Sequence, residues 1–135
     1  MNFVLDASIT LAWCFKDEET PLTVTLLVRV QTERAFVPAL WTLEIGNILL
    51  SACKRQRISY ARATEFLNLL DDLAIQIDEN TATHGLRDTF LLAYSEQLTT
   101  YDAAYLELAM RLGLPLATKD IQLSKAALRV GVRVL

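Results

Sequence analysis

The sequence opens with Met-Asn-Phe-Val-Leu-Asp-Ala-Ser (residues 1–8), in which an apolar run leads directly into a carboxylate and two small residues. The run Phe3–Leu5 predicts a short strand, and the spacing of apolar residues from Ile9 onward predicts a helix. A strand that ends on an acid and turns into a helix is typical of the ligand-binding edge of an open α/β sheet. Taken alone, Asp6 is more simply explained as a turn residue or as a helix cap.

The remainder of the chain repeats this alternation of short apolar strands with helices. Further strands are predicted at residues 35–37, 74–77, 116–120 and 132–135. Helices are predicted at residues 9–15, 22–30, 40–54, 60–73, 83–94, 100–112 and 121–130. The pattern predicts an α/β fold, a three-layer α/β/α sandwich with a central, mostly parallel sheet of four to five strands. A chain of 135 residues with 53% hydrophobic residues is expected to form one domain over residues 1–135.

Composition limits the location and the binding mode of the protein. The net charge of −3 is not that of a protein that binds nucleic acid by bulk charge, so a polyanionic partner would need local basic patches or metal ions. We expect neither a membrane span nor a secretory signal, because Asp6 interrupts the first apolar run and no long apolar stretch follows. Two isolated cysteines, Cys14 and Cys53, are typical of reduced thiols and favour a cytoplasmic location.

Four acids stand apart from the other twelve. Asp6 and Asp120 each follow a predicted strand, whereas Glu44 and Asp102 each interrupt the apolar face of a predicted helix near its start. In a parallel sheet these positions share one edge, so the four carboxylates are expected to converge there. Each acid also has a simpler explanation. Asp6 and Asp120 fit helix caps, Asp102 fits a capping box that begins at Thr99, and Glu44 fits the margin of its apolar stripe.

Converging carboxylates repel one another, and a hard divalent cation such as Mg²⁺ or Mn²⁺ relieves that repulsion through oxygen ligands. Such a site lowers the pKa of a bound water and neutralises charge on a phosphoryl oxygen, which is the chemistry of phosphodiester hydrolysis. Histidine is not required, and His84 is the only one in the chain. Ser8, Asn47 and Thr118 are candidates to orient ligands or water, although such residues more often cap helices or form turns.

Several segments resemble PIN-domain proteins, in particular the VapC-type toxins of toxin–antitoxin pairs. The resemblance spans essentially the whole chain, and its most specific part is the segment from Tyr101 to Ala109. The other matching segments are Leu5–Ser8 with Leu11–Trp13, Trp41–Asn47 and Leu116–Asp120. The resemblance implies a PIN-type sandwich, a ribonuclease that depends on Mg²⁺ or Mn²⁺, a homodimer, and inhibition by a cognate antitoxin. It also implies that Asp6, Glu44, Asp102 and Asp120 form the acidic site, with Asp120 at the most variable position.

The same residues fit other functional interpretations. One is a metal-dependent phosphoryl-transfer or phosphatase-like domain, although Ser8 stands where such a domain would place a second acid beside Asp6. Another is a PIN-like module that binds without catalysis. A basic cluster, defined as Lys54, Arg55, Arg57 and Arg62, fits contact with RNA phosphates or with an acidic antitoxin segment. The sequence favours a simpler explanation, a solvated helix end whose cations face the helix dipole.

Overall fold

The computed structural model describes residues 1–135, which form four short strands and eight α-helices joined by tight connections. The strands are β1 (Phe3–Leu5), β2 (Ala35–Val37), β3 (Ile75–Ile77) and β4 (Leu116–Ala117). The helices are α1 (Ala7–Ala12), α2 (Pro21–Arg29), α3 (Trp41–Lys54), α4 (Tyr60–Asp71), α5 (Thr81–His84), α6 (Phe90–Glu96), α7 (Thr100–Leu112) and α8 (Ile121–Arg129). A 3₁₀ turn (Lys16–Glu18) follows α1, and a π-helical segment (Gly85–Thr89) joins α5 to α6.

The four strands form one parallel sheet in the order β3-β2-β1-β4. Strand β1 is an inner strand, and Phe3, Val4 and Leu5 are all fully buried, as expected for a strand covered on both faces. The predicted α/β fold with a parallel sheet is confirmed. Because β1 is central, its carboxyl end, and therefore Asp6, lies near the middle of the sheet edge.

The strand order also fixes how the helices are distributed. With right-handed crossovers, the connections from β1 to β2 and from β2 to β3 cover one face, and the return from β3 to β4 covers the other. Helix α1 accordingly packs against α3, whereas α7 packs against β1 and β4. Helices α1, α3, α7 and α8 therefore all begin at or beside the carboxyl edge of the sheet, where the candidate acids lie.

Helix ends follow from local chemistry that the sequence displays. The Ser59 hydroxyl accepts a hydrogen bond from the Arg62 N–H, so the predicted cap of α4 is confirmed. Gly113 ends α7 with φ +66°, a left-handed conformation that glycine adopts without steric cost. Thr20 forms a reciprocal capping box with Thr23 ahead of Pro21 at the start of α2.

Three predicted boundaries are wrong. Helix α1 covers Ala7–Ala12 rather than residues 9–15, because Asp6 is extended and the helix starts directly after it. Strand β4 ends at Ala117 rather than at residue 120, since residues 118–120 form a turn fastened by side-chain hydrogen bonds. The predicted strand 132–135 is reduced to a single bridge between Leu116 and Val134.

The interior is one apolar cluster that spans the sheet and the inner faces of the helices. Its largest fully buried side chain is Tyr105, on α7. None of the helices has both the length and the apolar character that a membrane crossing requires.

Candidate active site at the carboxyl edge of the sheet

Asp6 lies directly after β1 and is only 6% exposed. Its Oδ2 atom accepts hydrogen bonds from the Ser8 hydroxyl and from the Thr118 hydroxyl, both at 2.7 Å. The Asp6 N–H donates to the carbonyl of Ala117 at 3.0 Å, which fixes the backbone against β4. The carboxylate caps no helix. Asp6 therefore occupies the N-cap position of α1, but its side chain does not cap the helix. The carboxylate is held instead by the Ser8 hydroxyl of α1 and the Thr118 hydroxyl of the loop after β4.

The same two hydroxyls fasten the loop after β4. Thr118 Oγ1 accepts from the Asp120 N–H at 3.0 Å, and Ser8 Oγ accepts from the Lys119 N–H at 2.9 Å. Ser8 and Thr118 thus join the start of α1 to the loop after β4 and orient the Asp6 carboxylate. Asn47, the third residue predicted for an orienting role, is exposed on α3 and makes no hydrogen bond to these groups.

Glu44 lies in the first turn of α3 and is half-buried. Its Oε1 atom accepts a hydrogen bond of 2.5 Å from the hydroxyl of Tyr105, a fully buried side chain. Burial raises the pKa of Glu44, and the nearby carboxylates of Asp6 and Asp102 raise it further. The hydrogen bond from Tyr105 lowers this pKa, but the other effects outweigh it. The hydrogen bond from Tyr105 therefore fixes the orientation of the Glu44 side chain. Glu44 is not an unattached side chain at the margin of the apolar face of α3.

Asp102 lies in the first turn of α7 and is half-buried. Its N–H donates to the Thr99 hydroxyl at 3.1 Å, but its carboxylate accepts no hydrogen bond. The predicted capping box is therefore only half formed, and the carboxylate faces the edge of the sheet. Burial raises the pKa of Asp102, and the carboxylates of Asp6 and Asp120 raise it further.

Asp120 caps a helix, which is the simpler of the two explanations that the sequence offers for it. Its Oδ1 accepts from the Leu123 N–H at 2.8 Å and caps α8. The carboxylate is nevertheless close enough to raise the pKa of Asp102. Asp120 thus combines a structural role with a place beside the other acids.

The structure brings the four predicted acids to one edge, which we call the acidic edge. The four acids are linked through mutual repulsion: Asp6 and Asp102 act on Glu44, while Asp6 and Asp120 act on Asp102. No three Asp, Glu, His or Cys side chains converge tightly enough to form a ready-made three-ligand metal group. The donor set still fits a hard divalent cation, because such ions take one or two direct carboxylates and keep several waters.

Sequence reasoning missed two interactions that support this edge. One is the hydrogen bond from Tyr105 to Glu44, which joins residues 61 positions apart. The other is a partly buried ion triad in which Arg111 of α7 binds Asp78 at 2.7 Å and Glu107 at 2.9 Å. The only sequence signal for either was helical spacing, since Tyr105 lies three residues after Asp102 and Arg111 four residues after Glu107.

The basic cluster lies at the tip of the hairpin formed by α3 and α4. Arg57 binds Asp17 and Glu18 of the 3₁₀ turn, both at 2.9 Å, and lies over the Phe15 ring at 3.9 Å. Lys54, Arg55 and Arg62 are exposed, and the nearest acid to Arg62 is Glu65 at 3.9 Å.

Comparison with known proteins gives a consistent result. The family model described as PIN domain matches residues 3–128. Ribonuclease VapC3 of Pyrobaculum aerophilum is 31% identical over 134 residues, covering 93% of this chain and 94% of the relative.

Solved structures show the same architecture. PAE2754 from Pyrobaculum aerophilum has a TM-score of 0.73 at 22% identity, covering 99% of this chain and 83% of that one. VapBC2 from Rickettsia felis, bound to a promoter DNA fragment, has a TM-score of 0.69 at 12% identity, covering 100% of this chain and 98% of that one. A toxin–antitoxin complex from Klebsiella pneumoniae has a TM-score of 0.61 at 16% identity, covering 98% of this chain and 95% of that one. At these identities the likeness concerns the fold.

Proposed function

Because the chain belongs to the PIN domain family, we propose that it is an endoribonuclease of the VapC type, the toxin of a toxin–antitoxin pair. The observation that carries the proposal is the acidic edge, where Asp6, Glu44, Asp102 and Asp120 lie near enough at the carboxyl end of a parallel sheet for Asp6 and Asp102 to raise the pKa of Glu44 and for Asp6 and Asp120 to raise that of Asp102. The 31% identity to a ribonuclease over nearly the whole length of both chains supports the same activity.

We assign a divalent cation, Mg²⁺ or Mn²⁺, to the acidic edge, held by carboxylates of the four acids. When bound, such an ion lowers the pKa of a water and neutralises charge on the phosphate that is cleaved. Carboxylate oxygens and few direct ligands match the preference of these ions. The repulsion among Asp6, Glu44 and Asp102 favours binding of the ion, since a cation offsets that repulsion.

The remaining side chains of the site fix geometry. Ser8 and Thr118 occupy Oδ2 of Asp6 and set the rotation of its carboxylate. Tyr105 holds Glu44 from the protein interior, and burial raises the pKa of the Tyr105 hydroxyl so that it stays a donor. Asp102, without a hydrogen-bond partner, is the carboxylate most available to a ligand. These contacts place the acids before any ligand arrives.

The phosphoryl-transfer alternative gains no support from the structure. Its second group of acids would lie after β3, at Asp78. There the carboxylate is bound by Arg111 and by the Thr81 hydroxyl at 2.8 Å, so it is committed to the fold. Beside Asp6 in the sequence, Ser8 stands where such a domain would place the second acid, and its hydroxyl donates to Asp6 Oδ2.

Partners follow from the same assignment. We propose RNA as the substrate and a cognate antitoxin as the inhibitor, in line with the toxin–antitoxin complexes that share the fold. A homodimer is supported by apolar side chains that the π-helical segment and α6 expose at helical spacing. They are Leu86, Phe90, Leu91 and Tyr94, with exposed fractions of 93%, 54%, 64% and 82%.

Metal removal tests the proposed activity. We expect purified protein to cleave RNA with Mg²⁺ or Mn²⁺, to lose cleavage in excess EDTA, and to recover it when the metal is restored. The measurement is the release of fragments from end-labelled RNA, with growth inhibition on expression as the cellular counterpart. Undiminished cleavage in excess EDTA would contradict the assignment.

Removal of the Thr118 hydroxyl tests how the site is oriented. We expect Thr118→Val to lower the cleavage rate roughly 10- to 100-fold, because Asp6 Oδ2 and the Asp120 N–H both lose a partner. Thr118→Ser is the matched control and should retain most activity, since it keeps the hydroxyl. Equal rates for the two variants would show that the hydroxyl does not orient Asp6.

A further inference from the structure

We propose that the basic cluster, together with Tyr60, forms a single-strand RNA anchor that holds the substrate beside the acidic edge. This inference rests on the proposed ribonuclease function. Residues 54–62 contain four cations and no acid, in a chain whose net charge is −3. A polyanion approaching four carboxylates needs attachment points outside them, and RNA phosphates are gripped mainly by Arg and Lys.

Arg57 differs from the other members of the cluster because it is already paired. Its contacts with Asp17, Glu18 and Phe15 fasten the tip of the hairpin to the 3₁₀ turn. Arg57 therefore sets the position of the cluster, while Lys54, Arg55 and Arg62 keep exposed charges. These three are the cations available to phosphate.

The helix dipole does not explain the cluster as a whole. Lys54 in the last turn of α3 is favourably placed, but Arg62 lies in the first turn of α4, where a cation is unfavourable. Its only nearby acid is Glu65 at 3.9 Å, with side-chain exposures of 51% and 72%. Such a pair contributes little. An exposed cation at a helix amino terminus is better explained by an anionic ligand that both Arg62 and the helix end attract.

Tyr60 adds a stacking surface beside these charges. It is the first residue of α4 and is 79% exposed, next to the Ser59 cap. An open groove of about 530 Å³ begins at the neighbouring Ser59, and its charged lining consists of Lys16, Arg57, Arg62 and one acid, Asp17, which is paired with Arg57. Exposed aromatic rings among basic side chains are the pattern by which proteins hold single-stranded nucleic acid, with bases on the rings and phosphates on the cations.

A continuous hydrogen-bonded path connects this surface with the acidic edge. Glu18 binds Arg57 through its side chain, and its carbonyl accepts from Lys119 Nζ at 2.8 Å. The Lys119 N–H donates to Ser8 Oγ, which in turn donates to Asp6 Oδ2. The anchor and the acidic edge are therefore both fastened to the same 3₁₀ turn, and the proposal places one strand of RNA across both. Continuity with the acidic edge favours RNA over an acidic protein segment.

The charge test uses Arg55→Ala combined with Arg62→Ala. Binding of a labelled single-stranded RNA is measured by fluorescence anisotropy in EDTA, where cleavage is absent and the acidic edge contributes only repulsion. Loss of two phosphate contacts should lower affinity roughly tenfold and reduce the slope of log K against log salt by about 1.4. The matched control, Arg34→Ala combined with Arg133→Ala, removes the same charge from exposed positions elsewhere and should change neither quantity.

The stacking test uses Tyr60→Ala against Tyr60→Phe. The alanine variant should bind the same RNA about tenfold more weakly, since one stacked base is lost. Its salt slope should equal that of the wild type, because stacking releases no counterions. Tyr60→Phe keeps the ring and should retain wild-type affinity.

Unchanged affinity and salt slope in the arginine variant would overturn the proposal. Unchanged RNA binding with weakened binding of a poly-glutamate peptide would overturn it in favour of an acidic protein partner. If RNA is cleaved normally and none of the variants differs, the anchor fails while the proposed ribonuclease function stands. A wild-type protein that neither binds nor cleaves RNA would refute both.

Discussion

Asp102→Asn is expected to reduce RNA cleavage about a thousandfold, equivalent to roughly 4 kcal/mol of transition-state stabilisation. Asp102 is the acid whose carboxylate has no hydrogen-bond partner in the protein, so its substitution disturbs the fold least. Asparagine keeps the shape and the N–H that donates to Thr99, but it removes the negative charge that a cation needs. The measurement is the single-turnover rate on end-labelled RNA with saturating Mg²⁺ or Mn²⁺.

The same variant should be more stable than the wild type when metal is absent. Burial and neighbouring acids raise the pKa of Asp102 above its unfolded value, so folding favours the protonated form and ionisation at neutral pH costs stability. The metal-free wild type should therefore gain stability as pH falls from neutral toward the ordinary carboxylate range, and Asp102→Asn should gain less. Thermal unfolding at several pH values checks this. Retained cleavage by a folded Asp102→Asn protein would remove Asp102 from the site.

Arg111→Ala is expected to lower the free energy of unfolding by about 3 kcal/mol, the largest stability effect we predict. Arg111 is 21% exposed, while Asp78 and Glu107 are 7% and 8% exposed, so its loss leaves two buried acids without a cation. Urea denaturation at neutral pH measures the change. Arg129→Ala is the matched control, since Arg129 is 55% exposed in its pair with Glu96 and should cost below about 1 kcal/mol.

The loss in Arg111→Ala should depend on pH. Burial alone would raise the pKa of Asp78, but the hydrogen bonds from Arg111 and Thr81 outweigh it and lower that pKa. The stability that ionised Asp78 contributes is fully present above the pKa of about 3.9 that Asp78 has in the unfolded chain. It disappears as the pH falls through the lower pKa that Asp78 has in the folded protein. The difference between wild type and variant should therefore shrink in acid. Equal destabilisation by Arg111→Ala and Arg129→Ala at neutral pH would contradict a structural role for the triad.

Local chemistry made most of the fold predictable. The strand Phe3–Leu5, the Ser59 cap and the Gly113 helix end depend on residues adjacent in sequence, and each is confirmed. The meeting of four acids at one edge also followed, because strand ends in a parallel sheet share an edge whatever the exact register. Their ligand and catalytic roles stay predictions.

Contacts between distant segments were not predictable. The short bond from Tyr105 to Glu44 and the pairing of Arg111 with Asp78 require the rotation of α7 relative to α3 and β3. Apolar spacing gives only the inward face of a helix, not which polar group it meets there. The expected fifth strand shrank to one bridge for a similar reason, since apolar content alone does not supply a partner in register.

The placement of β4 beside β1 has a consequence for the order of events during synthesis. Asp6 leaves the ribosome well before Ala117 and Thr118, which fix its backbone and carboxylate and lie more than 110 positions later. Contacts between residues this far apart form late, because closing the intervening chain loses conformational entropy before the contacts can stabilise the structure. A nascent chain should therefore lack an assembled nuclease site until Thr118 has emerged. That delay would keep a new toxin molecule harmless to the RNA that surrounds it during translation.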